Sequence, residues 1–196
     1  MIRLRTFWVA VIAICVVAFG CEKSPEERYK ELEKQELAKK ERYDSLFFEI
    51  YLGMTNREFG QYCFDEHLNG KFMQGGKKSG SWVEAKLPTE LAFPAAINFF
   101  PEYENNRIAK MNASIYYLDS VSFPEGTFSD DSLLNDVLNY LDEGYGEGHF
   151  KIKSPYTYTD DVYVKIKGNR RITISLDKIG HMVNLWFVDM KKEEFE

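Results

Sequence analysis

The sequence predicts an α+β domain built on an antiparallel β-sheet and preceded by a charged helical stalk. Three observations predict it. Apolar and polar residues alternate through the last third of the chain. Capping boxes at Ser24 and Thr55, with an amphipathic run after Ser129, mark three helix starts. Strand-favouring aromatics are abundant, with 15 Phe and 12 Tyr in 196 residues.

Residues 1–20 read as a signal peptide. Arg3 and Arg5 precede an apolar run from Phe7 to Phe19 and the small residue Gly20. A charged start, a short apolar stretch and a small residue at the cut mark a processed segment. The run falls short of the roughly 20 apolar residues of a spanning helix. With Cys21 next, the segment resembles bacterial lipoprotein signals, although Phe19 stands where their box carries a small residue. That resemblance implies lipidation of Cys21, with palmitate-type chains, and stable attachment, since more than one chain would be buried. An uncleaved anchor and cleavage by the ordinary secretory peptidase are the alternatives. Glu22 rather than Asp follows the cysteine, which implies the outer membrane. The side the domain faces, periplasm or surface, stays open.

With Cys15 removed and Cys21 lipidated, Cys63 is alone and makes no intramolecular disulfide, so the fold relies on its own core. Loss of Arg3 and Arg5 leaves a formal charge of −8. This excludes nucleic acid as an expected partner.

Residues 21–42 form the tether. Ser24-Pro25-Glu26-Glu27 supplies an N-cap, a proline at the first helical position and a capping glutamate. Glu26 with Lys30 and Glu36 with Lys40 stand four apart in the favourable order. The expectation is a solvated spacer lifting the domain by roughly 25 to 30 Å, helical at about 1.5 Å per residue, or a disordered tether.

The folded part spans 43–189, with a charged tail at 190–196. Thr55 and Glu58 open a helix near Asn56, whose inward candidates are Phe59, Tyr62, Cys63 and Leu68. The glycine-rich stretch from Gly70 to Ser81 is a surface loop, and Trp82 to Leu87 begins a strand. Runs Ala95 to Phe100 and Arg107 to Leu118 flank the Glu104-Asn105-Asn106 turn as a hairpin. In the second run Met111, Ala113, Ile115 and Tyr117 form the core side, and Lys110, Asn112, Ser114 and Tyr116 the wet side. Ser129 caps a helix with Leu133, Leu134, Val137, Leu138 and Leu141 inward, closed by Gly144. A three-stranded meander follows, turning at Gly168-Asn169 and at Lys178-Ile179-Gly180. The order helix then strands, repeated over 43–128 and 129–189, reads as an internal duplication.

Leu52-Gly53-Met54-Thr55, followed by a helix and strands, resembles the opening of small outer-membrane lipoproteins of the SmpA/OmlA type. Two such units in tandem resemble the fold of β-lactamase inhibitor protein and its relatives. The whole chain is similar to uncharacterised Bacteroidetes-type lipoproteins. These resemblances imply a protein-binding module without catalysis.

Groups able to do chemistry are few. Cys63 and His67, four apart on one helix, are half a metal site at most, because structural metal sites usually take four ligands. No metal or cofactor is expected. His149 and His181 lack partners identifiable in sequence. Asp130-Asp131 and Asp160-Asp161 sit at cap and turn positions that favour Asp anyway. Arg170-Arg171 reads as a solvated basic point able to touch a carboxylate or phosphate. The aromatics Trp82, Tyr116, Tyr156, Tyr158 and Trp186 exceed what one sheet face buries and are the candidate platform for a protein or sugar. The expected role is non-catalytic binding of a protein partner in the cell envelope, through an anchor at Cys21. An enzyme acting on carbohydrate or peptide and a purely structural envelope protein are the alternatives.

Overall fold

The computed structural model describes residues 23–76, 80–87, 91–118, 129–153 and 161–190. The signal peptide and Cys21 lie outside them, as do Tyr156, Tyr158 and Asp160. The described residues form an α+β structure of three helices and one antiparallel eight-stranded sheet. The helices are α1 (Pro25–Ala38), α2 (Asn56–Leu68) and α3 (Asp130–Tyr145). Strands β1 (Phe72–Gln74), β2 (Val83–Lys86), β3 (Ala95–Glu104) and β4 (Arg107–Tyr117) follow α2. Strands β5 (Phe150–Ile152), β6 (Val162–Lys167), β7 (Arg170–Asp177) and β8 (Met182–Asp189) follow α3.

The strand order is β1-β2-β3-β4-β8-β7-β6-β5. Each half is thus a helix followed by a four-stranded meander, and the two meanders meet where β4 pairs with β8, from Lys110↔Val188 to Ile115↔Val183. The expected repetition of helix then strands is realised in this order.

Local chemistry explains the elements. Ser24 and Thr55 each close a complete capping box, with Glu27 and Glu58 returning to the cap N–H. The β3–β4 hairpin turns on Asn105 and Asn106, with φ of 48° and 63°, the left-handed pair that a two-residue primed turn demands and asparagine tolerates. Strands β1 and β5 have three residues each, too short to show an alternating pattern. Helix α3 runs through Gly144 and ends at Gly146, whose φ of 93° breaks the helical path, so the expected stop at Gly144 comes two residues early.

The core fills the space between α2, α3 and one face of the sheet, here called the inner face. Ile97 and Phe99 of β3, Met111, Ala113 and Ile115 of β4, Ile172 and Ile174 of β7, and Leu185 and Phe187 of β8 are buried there. From α3 come Leu133, Val137, Leu138 and Leu141. The stretch between α1 and α2 adds Leu46, Phe47, Ile50, Leu52 and Met54, all buried. Phe47 sits across the junction of the halves, its ring 5.1 Å from Phe99 and 5.6 Å from Phe187 by centroids. On α2, Phe59 is buried and Tyr62 and Cys63 pack against the core, but Leu68 is 69% exposed and does not face inward as expected.

Two further expectations are corrected. Ser114 and Tyr116 are buried, so the second face of β4 is not uniformly wet. Arg170 is 5% exposed rather than solvated, because β7 turns it toward the same face as Ile172 and Ile174.

The ends of the domain are tied at a buried polar node. Asn169 is fully buried; its Oδ1 accepts from the Tyr43 N–H at 2.7 Å, and its Nδ2 donates to Asp44 and Asp189, each at 3.1 Å. Arg42 donates to Asp44 and to the buried Asp189. Those carboxylates, working against partial burial, hold the Arg42 guanidinium well above its ordinary value. Next to this node, Gly168 takes φ of 57°, and a Cβ there would stand 2.6 Å from the Glu41 carbonyl oxygen. Removing the Asn169 side chain takes the acceptor from the Tyr43 N–H and one donor each from Asp44 and the buried Asp189, which keep Arg42. Asn169→Ala is expected to lower stability by about 2 to 4 kcal/mol in urea unfolding, while Asn105→Gly in the exposed turn changes it by less than about 1 kcal/mol.

Candidate binding surface

The face of the sheet opposite the core, the outer face, carries the three candidate aromatics that fall among the described residues, Trp82, Tyr116 and Trp186. Directly opposed residues share a face, so the register gives its rows. One row runs Glu84, Asn98, Ser114, Asn184, Ser175 and Val162. The next runs Phe100, Asn112, Trp186, Thr173, Val164 and Phe150. Asn112, Thr173, Ser114, Asn184 and Ser175 surround Trp186 with polar groups in the middle of the rows, and Val162, Val164 and Phe150 lie on β5 and β6.

Two different covers lie over the flanks. Helix α1 is docked on the second half and does not stand away as a spacer. Its partly or fully buried positions are Tyr29, Leu32, Glu33, Glu36 and Leu37, a helical stripe of spacing three and four. Tyr29 Oη meets the Arg171 guanidinium at 3.3 Å, Arg28 lies 5.7 Å from the Phe150 ring centroid, and Glu36 Oε2 accepts from the Gly168 N–H at 3.0 Å. On the first half the Gly75-Gly76 turn comes down on β2 and β3. Asn98 Nδ2 donates to the Gly75 carbonyl at 3.0 Å, and a Cβ on Gly76 would fall onto Glu84 and Asn98.

Between these covers stands Trp186, 38% exposed at the centre of the sheet. Its cross-strand neighbours are Asn112 and Thr173. Asn112 Nδ2 donates to Glu102 Oε1 at 2.7 Å, which fixes the amide beside the indole. Trp82 leans on Phe100 with centroids 6.0 Å apart and forms the rim toward β2. Tyr116 shares this face but is buried, and its hydroxyl bonds Glu84. Of the five aromatics named from sequence, the structure therefore brings Trp82 and Trp186 to one exposed region and puts Tyr116 beneath the surface beside it; Tyr156 and Tyr158 lie outside the described residues.

The remaining candidates are dispersed. Cys63 is packed against the core, and burial pushes its thiol up to about 12. His67 Nδ1 is 3.0 Å from the Phe72 carbonyl. No group of three or more His, Cys, Asp or Glu able to hold a metal ion occurs among the described residues. His149 pairs with Asp142 at 3.6 Å and His181 with Asp130 at 2.9 Å. These carboxylates are twelve residues apart on α3, about 18 Å along the axis at 1.5 Å per residue. The two histidines therefore do not converge on one site.

No family model, no curated protein and no solved structure matches this chain. No helix among the described residues is long and apolar enough to cross a membrane.

Glu36 ties the C-terminal part of α1 to the β6–β7 hairpin through the Gly168 N–H. Burial alone would raise its carboxyl, but the Gly168 N–H and the Lys39 ammonium, with Lys167 nearby, outweigh it and hold Glu36 below the ordinary 4.5. A carboxyl depressed in the docked state contributes fully above its ordinary value and loses that contribution as pH falls through the depressed one. Acidification from about pH 6 to below pH 4.5 is thus expected to raise amide exchange at Gly168 several-fold more than at Ile174 in the core. Glu36→Gln should flatten that difference; a Gly168 profile identical in both proteins would contradict the role given to Glu36.

Proposed function

We propose that this chain is a lipid-anchored, non-catalytic binding module of the bacterial cell envelope that takes a protein partner on the outer face of its sheet. The observation that carries the reading is Trp186, a large aromatic left part-exposed at the centre of a sheet whose flanks are covered. Interface hot spots are enriched in Trp, whose large apolar ring and single N–H gain from burial against a partner. Asn112 and Thr173 supply amide and hydroxyl groups beside Trp186, and the Trp82–Phe100 pair supplies an apolar rim. The anchor in this reading is a lipidated Cys21 in the outer membrane. With α1 lying along the sheet, the domain stays close to that anchor instead of being lifted from it.

The test is site-specific photocrosslinking in cells, with the crosslinker at Asn112 or Thr173 and, as a control, at Lys34 on the exposed side of α1. A discrete adduct from the first two positions only is expected. Trp186→Ala should weaken it by about 2 kcal/mol, roughly thirtyfold in affinity, without lowering the unfolding midpoint. Equal adducts from all three positions, or an adduct indifferent to Trp186→Ala, would count against the surface. An adduct with a glycan instead of a protein would keep the face and change the partner.

A further inference from the structure

We infer that the cavity between the C-terminal end of α3 and the β6–β7 hairpin is a binding site for a small oxyanion, a carboxylate or a phosphate. The cavity measures about 260 Å³ and is lined by Arg170 and Lys167, with Tyr43 and Tyr145 as walls and the carboxylates of Glu41 and Glu147 also facing it; Glu41 already accepts from the Tyr43 hydroxyl. The cavity lies on the opposite side of the sheet from Trp186 and is independent of the partner surface.

Arg170 is the central observation. Its side chain is buried, its Nη1 donates to the Ser45 carbonyl, and its guanidinium lies 4.6 Å from the Tyr145 ring centroid and 5.9 Å from that of Tyr43. It makes no ion pair with a carboxylate among the described residues, where a buried charge is ordinarily paired. Burial accordingly pulls its pKa down, against weaker support from its neighbours. Every fully buried side-chain nitrogen and oxygen among the described residues has a hydrogen-bond partner. The Arg170 nitrogens other than Nη1 bond no group among the described residues, so they are not fully buried and open onto the cavity that the residue lines.

Lys167, which also acts at longer range on Glu36, brings a second positive charge. Its ammonium rests 4.8 Å from the Tyr43 ring centroid and forms no ion pair among the described residues. Gly146 faces it closely: a Cβ there would stand 3.3 Å from Lys167 Nζ and crowd the mouth. The other cations nearby are already used, Lys165 by Asp142 and the Gly148 carbonyl, and Lys39 by Glu36. A planar guanidinium packed by two tyrosines and the ammonium of its cross-strand neighbour form a fork suited to a planar carboxylate or a phosphate. The volume lies just below the roughly 300–1,000 Å³ of typical ligand pockets, so the ligand is small.

The full-length protein, ¹⁵N-labelled, is titrated with inorganic phosphate and separately with succinate at constant ionic strength. Saturable shifts at the Gly146, Gly148 and Gly168 amides are expected with one of the two, and which one decides between phosphate and carboxylate. Lys167→Gln, at an exposed position that does not threaten folding, should weaken binding roughly tenfold, whereas Lys86→Gln in the other half should leave it unchanged. If Arg170 and Lys167 serve only to balance the negative end of α3, neither anion will saturate. That result overturns the proposal, as does a titration that Lys167→Gln does not alter.

Discussion

The pairing of β4 with β8 is the constraint on which the remaining structure rests. A unit of about 60 residues, such as a four-stranded meander with one helix, buries a smaller share of its surface than a larger domain and is marginal alone. Joining the two along their longest strands makes one continuous inner face, with Met111 opposite Phe187 and Ala113 opposite Leu185. Phe47 then closes the seam by packing on both Phe99 of the first meander and Phe187 of the second. The same pairing sets Ser114 opposite Asn184 on the other face, where the hydroxyl donates to the amide oxygen at 2.7 Å. Both faces of the seam are therefore specified, one by shape and one by hydrogen bonding.

The halves share an element order but manage their outer faces differently, and the candidate surface follows from that asymmetry. In the second half Val164 and Phe150 face outward and Lys165 faces inward, which would be a poor arrangement for an isolated sheet. Helix α1 covers the first two, and Asp142 of α3 neutralises the third. In the first half a glycine turn fills the corresponding place, close enough to require Gly76. Trp186 lies between the two covers, and its exposure follows from where they stop.

Much of the fold was legible because its signals are local. Capping boxes fixed two helix starts, paired asparagines fixed the central hairpin, and alternation in Ile172, Ile174 and Leu176 fixed β7. Strands β1 and β5 were not legible, since three residues carry no period. Of the surface, Trp186 was legible because it alternates with Leu185 and Phe187. Tyr116 alternates equally well with Ile115 and Tyr117, yet Ala96 and Met182 pack on it and Glu84 takes its hydroxyl. Alternation tells which face a side chain points to, while coverage of that face depends on distant segments. Arg170 illustrates the same limit: its neighbours in sequence are polar, and its burial comes from Tyr43 and Tyr145, far along the chain.

The most direct test of the account is solvent accessibility of the outer face in place. Single cysteines at Asn112, Trp186 and Thr173, in a Cys63→Ala background, are labelled with a thiol reagent in purified protein and again in intact envelopes, with Arg57 on α2 as reference. Protection of the three central positions in envelopes, with Arg57 labelled equally in both, is expected where a partner covers the outer face. Equal labelling of all four positions in the two states would contradict the account.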